Sequence, residues 1–167
     1  MKTIIIIAVI TASVVISINY VNGIRQHTKA VSQLCLMIEN IEILLHQHNV
    51  DTEEIFKVLS MNNNYNLLTF IKLIYENMSL DKNVLSKSNL LNIKNNIYFN
   101  EEEKELIVNF FSLLGKSDLN GQLMNCKTYK ELLKKRLKES EAKELTECKS
   151  SSILVFGIGF LIVILII

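Results

Sequence analysis

Apolar positions follow three patterns along this chain, and the changes of pattern divide it. From Thr3 to Val21 no residue is charged, and Ile4–Ile18 reads IIIIAVITASVVISI. From Ile153 to Ile167 the chain reads ILVFGIGFLIVILII, again without a charge. Between these runs apolar residues return every three or four positions, as on helices that bury one face. A membrane-spanning helix needs about 20 mostly apolar residues. The first run has 19 uncharged residues, and the second has 15, extended to 18 by Ser150–Ser152. Both predict transmembrane helices. The expected organisation is an N-terminal transmembrane anchor over 1–23, a soluble helical bundle over 24–149 and a C-terminal transmembrane segment over 150–167. Gly157 and Gly159 would let a second helix approach, but a GxG pair is a weak signal and plain lipid contact is the simpler reading.

The first run has a second reading. Lys2 followed by an apolar core also describes a secretory signal peptide, with Val21-Asn22-Gly23 as a small-residue cleavage site. Tyr20, the two asparagines beside it and the single basic residue before the core favour an uncleaved anchor.

Inside 24–149 the periodicity is helical throughout, and no strand pattern competes. Val31, Leu34, Cys35, Ile38, Ile41 and Leu45 form one stripe on a helix over about 24–48 that continues out of the first run. Asn49 and Val50 break it. Asp51-Thr-Glu-Glu54 has the spacing of a capping box, and Ile55, Phe56, Val58 and Leu59 form the inner face of the short helix that follows. Met61–Asn64 reads as a turn, because asparagine bonds its own backbone and tolerates left-handed geometry. Tyr65, Leu68, Ile71 (or Leu73), Tyr75 and Met78 predict a third helix. Over 79–100 Val84, Leu85, Leu90, Leu91 and Ile93 support one helix without clear ends. Asn100-Glu-Glu-Glu103 is a second capping box, opening a helix whose inner face is Leu106, Ile107, Phe110, Phe111 and Leu114.

The next nine residues, LGKSDLNGQ at 114–122, stand out because the chain has no proline and only five glycines, two of them here. Gly115 falls where the preceding helix must stop, and glycine supplies the left-handed residue there at little cost. Ser117 is placed as the N-cap of the next helix, with Asp118 in its first turn and Gln122 one turn on, on the same face. The block therefore predicts a corner between two antiparallel helices, with Asp118 and Gln122 left over as a possible contact surface. The last helix turns Leu119, Leu123, Cys126, Tyr129, Leu133 and Leu137 inward, and KESEAKELTECK then forms a charged stalk leading to the second apolar run. The fold class is all-α: a bundle of about five to six helices between two transmembrane helices.

Charge narrows the partners. Of 18 Lys and Arg, only Lys2 lies outside 25–149, where 17 basic and 17 acidic residues balance. A neutral domain argues against nucleic acid, which is bound through an excess of basic residues. Near the two runs Arg25, Lys29, Lys134, Lys135, Arg136, Lys138, Lys143 and Lys149 lie on the domain side and only Lys2 with the N-terminal amine on the other, which predicts a cytoplasmic domain with both termini outside. Lys134–Lys138 also reads as a solvated face or a contact for anionic lipid or a partner.

Candidate chemistry is thin. Three cysteines without a CxxC, Cys35, Cys126 and Cys148, read as buried or free thiols rather than a disulfide framework. His46 and His48 are two apart, whereas a zinc pair needs i, i+4. Glu101–Glu105 reads as a solvated helix start that suits the positive end of the helix dipole. No phosphate loop, nucleophile elbow or Cys–His pairing occurs. The expectation is a non-enzymatic protein without catalytic, cofactor or metal residues, and with no small-molecule substrate.

The layout, and above all LGKSDLNGQ, resembles the stage III sporulation protein AB family, whose LGxSDxxGQ block precedes its final long helix. Gly115, Ser117, Asp118, Gly121 and Gln122 match that block. Arg25 after the anchor and HQHNVDTEEIFKVL are weaker matches. This chain lacks the family's aromatic and Thr-Pro around Gln47–Asp51, and its mid-region tryptophan. The resemblance implies a component of the secretion-like channel complex between mother cell and forespore, lodged in the mother-cell membrane around the forespore. It further implies a domain similar to the helical domains of the type II secretion platform protein. Such a domain would dock the complex's cytoplasmic ATPase or neighbouring membrane subunits, with Gly115, Ser117, Asp118, Gly121 and Gln122 as the family motif and possible partner contact.

Overall fold

The computed structural model describes residues 2–48, 51–78, 85, 90, 93 and 96–166. Five α-helices are present among them: α1 (Lys2–His48), α2 (Thr52–Ser60), α3 (Phe70–Met78), α4 (Glu101–Leu113) and α5 (Leu119–Ile166), with a 3₁₀ turn at Asn63–Tyr65. The all-α expectation holds for these residues. Most of the helix expected over 79–100 lies outside them, although Leu90 and Ile93 are both fully buried. Of the transmembrane helices expected at 1–23 and 150–167, the side chains of residues 1–6, 8–10, 152–156 and 158–167 lie outside the described residues. Among the described residues no helix is long and apolar enough to cross a membrane.

The chain forms two compact bodies, one of Met1–Thr28 with Lys138–Ile167 and one of Lys29–Leu137. In the larger body α1 is the central element. Ala30, Val31, Leu34, Met37, Ile38, Ile41 and Leu45 are buried along it, at spacings of three and four that give a broad apolar stripe. Phe111 of α4 joins two further elements: its ring lies 5.4 Å from Phe56 of α2 and 5.9 Å from Phe70 of α3, and 5.3 Å from Phe110 of its own helix. Phe110 in turn meets Tyr129 of α5 at 5.4 Å. Tilted and edge-on rings at these distances add to the burial of each side chain.

Buried polar groups set the register of the loops. Gln33 of α1 donates its amide to Asn66 (2.6 Å) and accepts the Leu67 N–H (3.0 Å). Asn96 donates to the Leu67 carbonyl (3.1 Å) and accepts from the Tyr98 N–H (2.9 Å). Asn40 bonds the Tyr65 hydroxyl. No buried side-chain nitrogen or oxygen among the described residues lacks a partner. Such a network orders a core when every member is satisfied.

This network corrects the third helix. Its periodicity began at Tyr65, yet α3 starts at Phe70. Gln33 and Asn96 take both backbone groups of Leu67, and Ile71 N–H bonds Leu68 instead, at 3.0 Å. Tyr65 is buried in the 3₁₀ turn before it.

Two further expectations change. Val58 is 45% exposed while Ile55, Phe56 and Leu59 are buried, because at 100° per residue it lies off the arc those three share. Asp51 caps α2, but its carboxylate takes the adjacent Thr52 N–H at 2.7 Å, and no reciprocal bond from Glu54 forms the expected box. The second box is complete: Asn100 accepts from Glu103 N–H (2.9 Å) and Glu103 accepts from Asn100 N–H (3.0 Å).

The smaller body pairs the first part of α1 with the end of α5. Arg25 meets Glu144 at 3.6 Å and Cys148 at 3.7 Å. The Ser140 hydroxyl lies 2.7 Å from Thr28 Oγ1 and 2.9 Å from His27 Nδ1. As numbers rise on one helix they fall on the other, so the pair is antiparallel. The stretch read as a charged stalk is thus half of a packed pair, with Ser140 buried in it.

Candidate functional site

The corner between α4 and α5 brings together every residue of the LGKSDLNGQ block. α4 ends where Leu114 turns to extended backbone, and Gly115 follows at φ 76°. A left-handed residue costs roughly 1–2 kcal/mol for anything but glycine. A second constraint acts on the same residue. A Cβ on Gly115 would stand 2.6 Å from Oγ1 of Thr52, the first residue of α2. The start of α2 therefore lies directly against the corner.

Gln122 fastens the loop at both ends. Its side-chain carbonyl accepts from Gly115 N–H at 3.2 Å, and its amide donates to the Ser117 carbonyl at 3.1 Å. Asp118 accepts from Gly121 N–H at 3.1 Å, which makes it the N-cap of α5. The expectation of Ser117 as the cap is corrected by one residue. Both types cap well, but α5 begins at Leu119, so the capping position falls on Asp118, and the Ser117 Cβ and Oγ lie 2.9 Å from where a Cβ on Gly121 would be. Gly121 is thus required because Ser117 and Asp118 fold over it. Leu119, expected inward, is 39% exposed, since it opens α5 at the solvent-facing edge of the turn.

All five block residues therefore have a local task. Gly115 turns the chain, Gln122 ties it, Asp118 caps α5, Ser117 covers Gly121 and Gly121 makes room. Residues 115–120 are exposed, so the corner also presents a rigid polar edge containing Lys116, the Ser117 hydroxyl and the second Asp118 oxygen. The corner contains no acid–base pair, and among the described residues no group of three His, Cys, Asp or Glu could hold a metal ion.

Titratable groups elsewhere serve packing. The ammonium of Lys130 on α5 bonds Glu42 of α1, and this bond raises the lysine's pKa. Cys126, one turn earlier, is fully buried. Its thiol is pushed up to about 12, first by burial and then by the charge of Glu42. Burial likewise raises Tyr65 and Tyr129. None of the three cysteines forms a disulfide.

Two features escaped the sequence reading. Thr52 gave no signal, because its closeness to Gly115 depends on how α2 and α4 pack. Ser140 did give one: Cys126, Leu133 and Ser140 are spaced by seven, so the inward stripe of α5 runs on into the charged stretch.

Comparison with curated proteins finds no match, and comparison with solved structures finds none. The model of the stage III sporulation protein AB family matches residues 2–167. That span contains the corner, both bodies and both uncharged runs, and the chain belongs to the stage III sporulation protein AB family, with the role in sporulation that membership implies.

Proposed function

We propose that this protein is a non-enzymatic platform subunit of the channel complex between mother cell and forespore. It is anchored in the mother-cell membrane around the forespore by both uncharged runs. Its helical domain is cytoplasmic and docks the complex's ATPase and neighbouring membrane subunits.

The observation that carries this reading is the antiparallel register of the smaller body. Arg25 lies opposite Glu144 and Cys148, and Thr28 opposite Ser140. Continuing that register sets Val21 beside Cys148, so that the uncharged runs extend side by side from one level of the pair. Arg25, Lys143 and Lys149 gather at that level, as the basic flanks of a cytoplasmic face do. α1 passes through Val21-Asn22-Gly23 without a break, which favours an anchor over a cleaved leader. The docking role comes from the family resemblance and from the absence of catalytic constellations among the described residues.

The test is topology in sporulating cells. After alkaline carbonate extraction the chain should stay with the membranes. The domain should survive protease added to protoplasts and be cut in inverted vesicles. Digestion in intact protoplasts would reject the proposed orientation.

A further inference from the structure

We propose that the outward face of α5 within the Lys29–Leu137 body is a docking surface for an acidic protein segment. Met124, Lys127, Glu131, Lys134 and Lys135 follow one another at three- and four-residue steps, with one shorter step at the end, and all are exposed. Such steps place them on one face of a helix, opposite the buried Cys126 and Leu133. Leu132 borders the face at 44% exposure, and Met124 is 71% exposed.

Two observations point to an acidic protein partner. Four other cations of the same body have carboxylate partners, Lys72 with Glu76, Lys104 with Glu101, Lys130 with Glu42 and Arg136 with Glu102, whereas Lys29, Lys57 and Lys116 stand singly elsewhere and do not gather on one face. Among the described residues Lys127, Lys134 and Lys135 have no ion pair, and Glu131 is the one carboxylate among them. The face is therefore electropositive on a domain whose charges balance overall, and it complements an acidic surface. Met124 and Leu132 supply the apolar contact that an interface centre needs, with the lysines as its charged rim.

Lipid headgroups fit less well. Lys138 follows these lysines on α5 and still precedes the apolar run at Ile153 by 15 residues. That is roughly 22 Å of helix, whereas charge is screened over about 8 Å at physiological salt. Headgroups are closer to Lys143 and Lys149 than to this face.

The inference rests on the platform reading for the identity of its probe, the complex's purified ATPase. The full chain is placed in phosphatidylcholine nanodiscs and titrated with that ATPase. Replacing the three lysines by glutamate (Lys127→Glu, Lys134→Glu, Lys135→Glu) should weaken binding by about tenfold or more, mainly through the on-rate, and added salt should weaken the wild type. The three Lys→Gln changes should give roughly a threefold loss, and they decide the matter if the reversed variant does not fold by circular dichroism. Equal binding by wild type and folded variant overturns this inference and leaves the platform reading standing. No binding by the wild type overturns both. If the variant keeps its affinity for the ATPase but loses binding to phosphatidylglycerol vesicles, the face is a lipid contact and the inference fails.

Discussion

At the scale of single residues, Gly115 is constrained twice, by a backbone at φ 76° and by Thr52 Oγ1 in the space of a side chain. Gly115→Ala should destabilise the domain by about 1–3 kcal/mol, read as a lower urea midpoint with an unchanged slope. Removing the obstacle with Thr52→Ala in the same chain should recover part of that loss and leave the backbone part, a coupling that a double-mutant cycle measures. Gln122→Ala removes two hydrogen bonds at a half-exposed site and should cost about 1 kcal/mol. Gln122→Glu keeps the acceptor for Gly115 N–H and loses the donor to Ser117, so its effect should fall between the two. Gly115 was readable in the sequence because a glycine closing a helical period has few other uses. The cap was readable only as a pair, since Ser117 and Asp118 are both good caps and only the point where α5 begins, at Leu119, separates them. The clasp by Gln122 was not readable at all: it joins residues seven apart across an irregular turn, where no period applies.

At the scale of elements, long apolar stripes were legible and the places where polar bonds override them were not. The stripe of α1 and the box opening α4 were readable from periodicity and capping chemistry. The start of α3 was not, because it depends on Asn96 reaching Leu67 from 29 residues away. The contact of α1 with α5 in the larger body carries two groups whose protonated forms folding favours. Cys126 is held neutral up to about 12, against an ordinary value of 9.0, and Lys130 is raised chiefly by its bond to Glu42. For both, the unfolded chain gives up its proton first as pH rises, so stability must fall with alkalinity. The decline should begin near the ordinary thiol value of 9.0 through Cys126. It should steepen above the ordinary lysine value of 10.5 as Lys130 titrates. Urea midpoints measured across that range check it, and Cys126→Ala should abolish the earlier part of the decline. In the smaller body, Ser140→Ala leaves Thr28 and His27 without their shared partner and should cost about 1–3 kcal/mol at this buried site, seen as lost amide protection over residues 24–28 and 138–148.

At the scale of the whole molecule, the proposed topology predicts that the mature chain keeps its first run. Mass spectrometry of membrane-extracted protein should find peptides that cross Gly23, and a chain beginning at Ile24 would remove one of the two anchors. The pairing at His27 and Thr28 also has a bearing on biogenesis. Their partner Ser140 arrives 113 and 112 residues later. Synthesis proceeds at about 5–20 residues per second, so the leading segment waits several seconds for the one that completes it. On the proposed topology it depends throughout that interval on the insertion machinery or on bilayer lipid for company. A ribosome that stalls before codon 138 leaves a widowed strand of helix that no later folding of residues 29–137 can match.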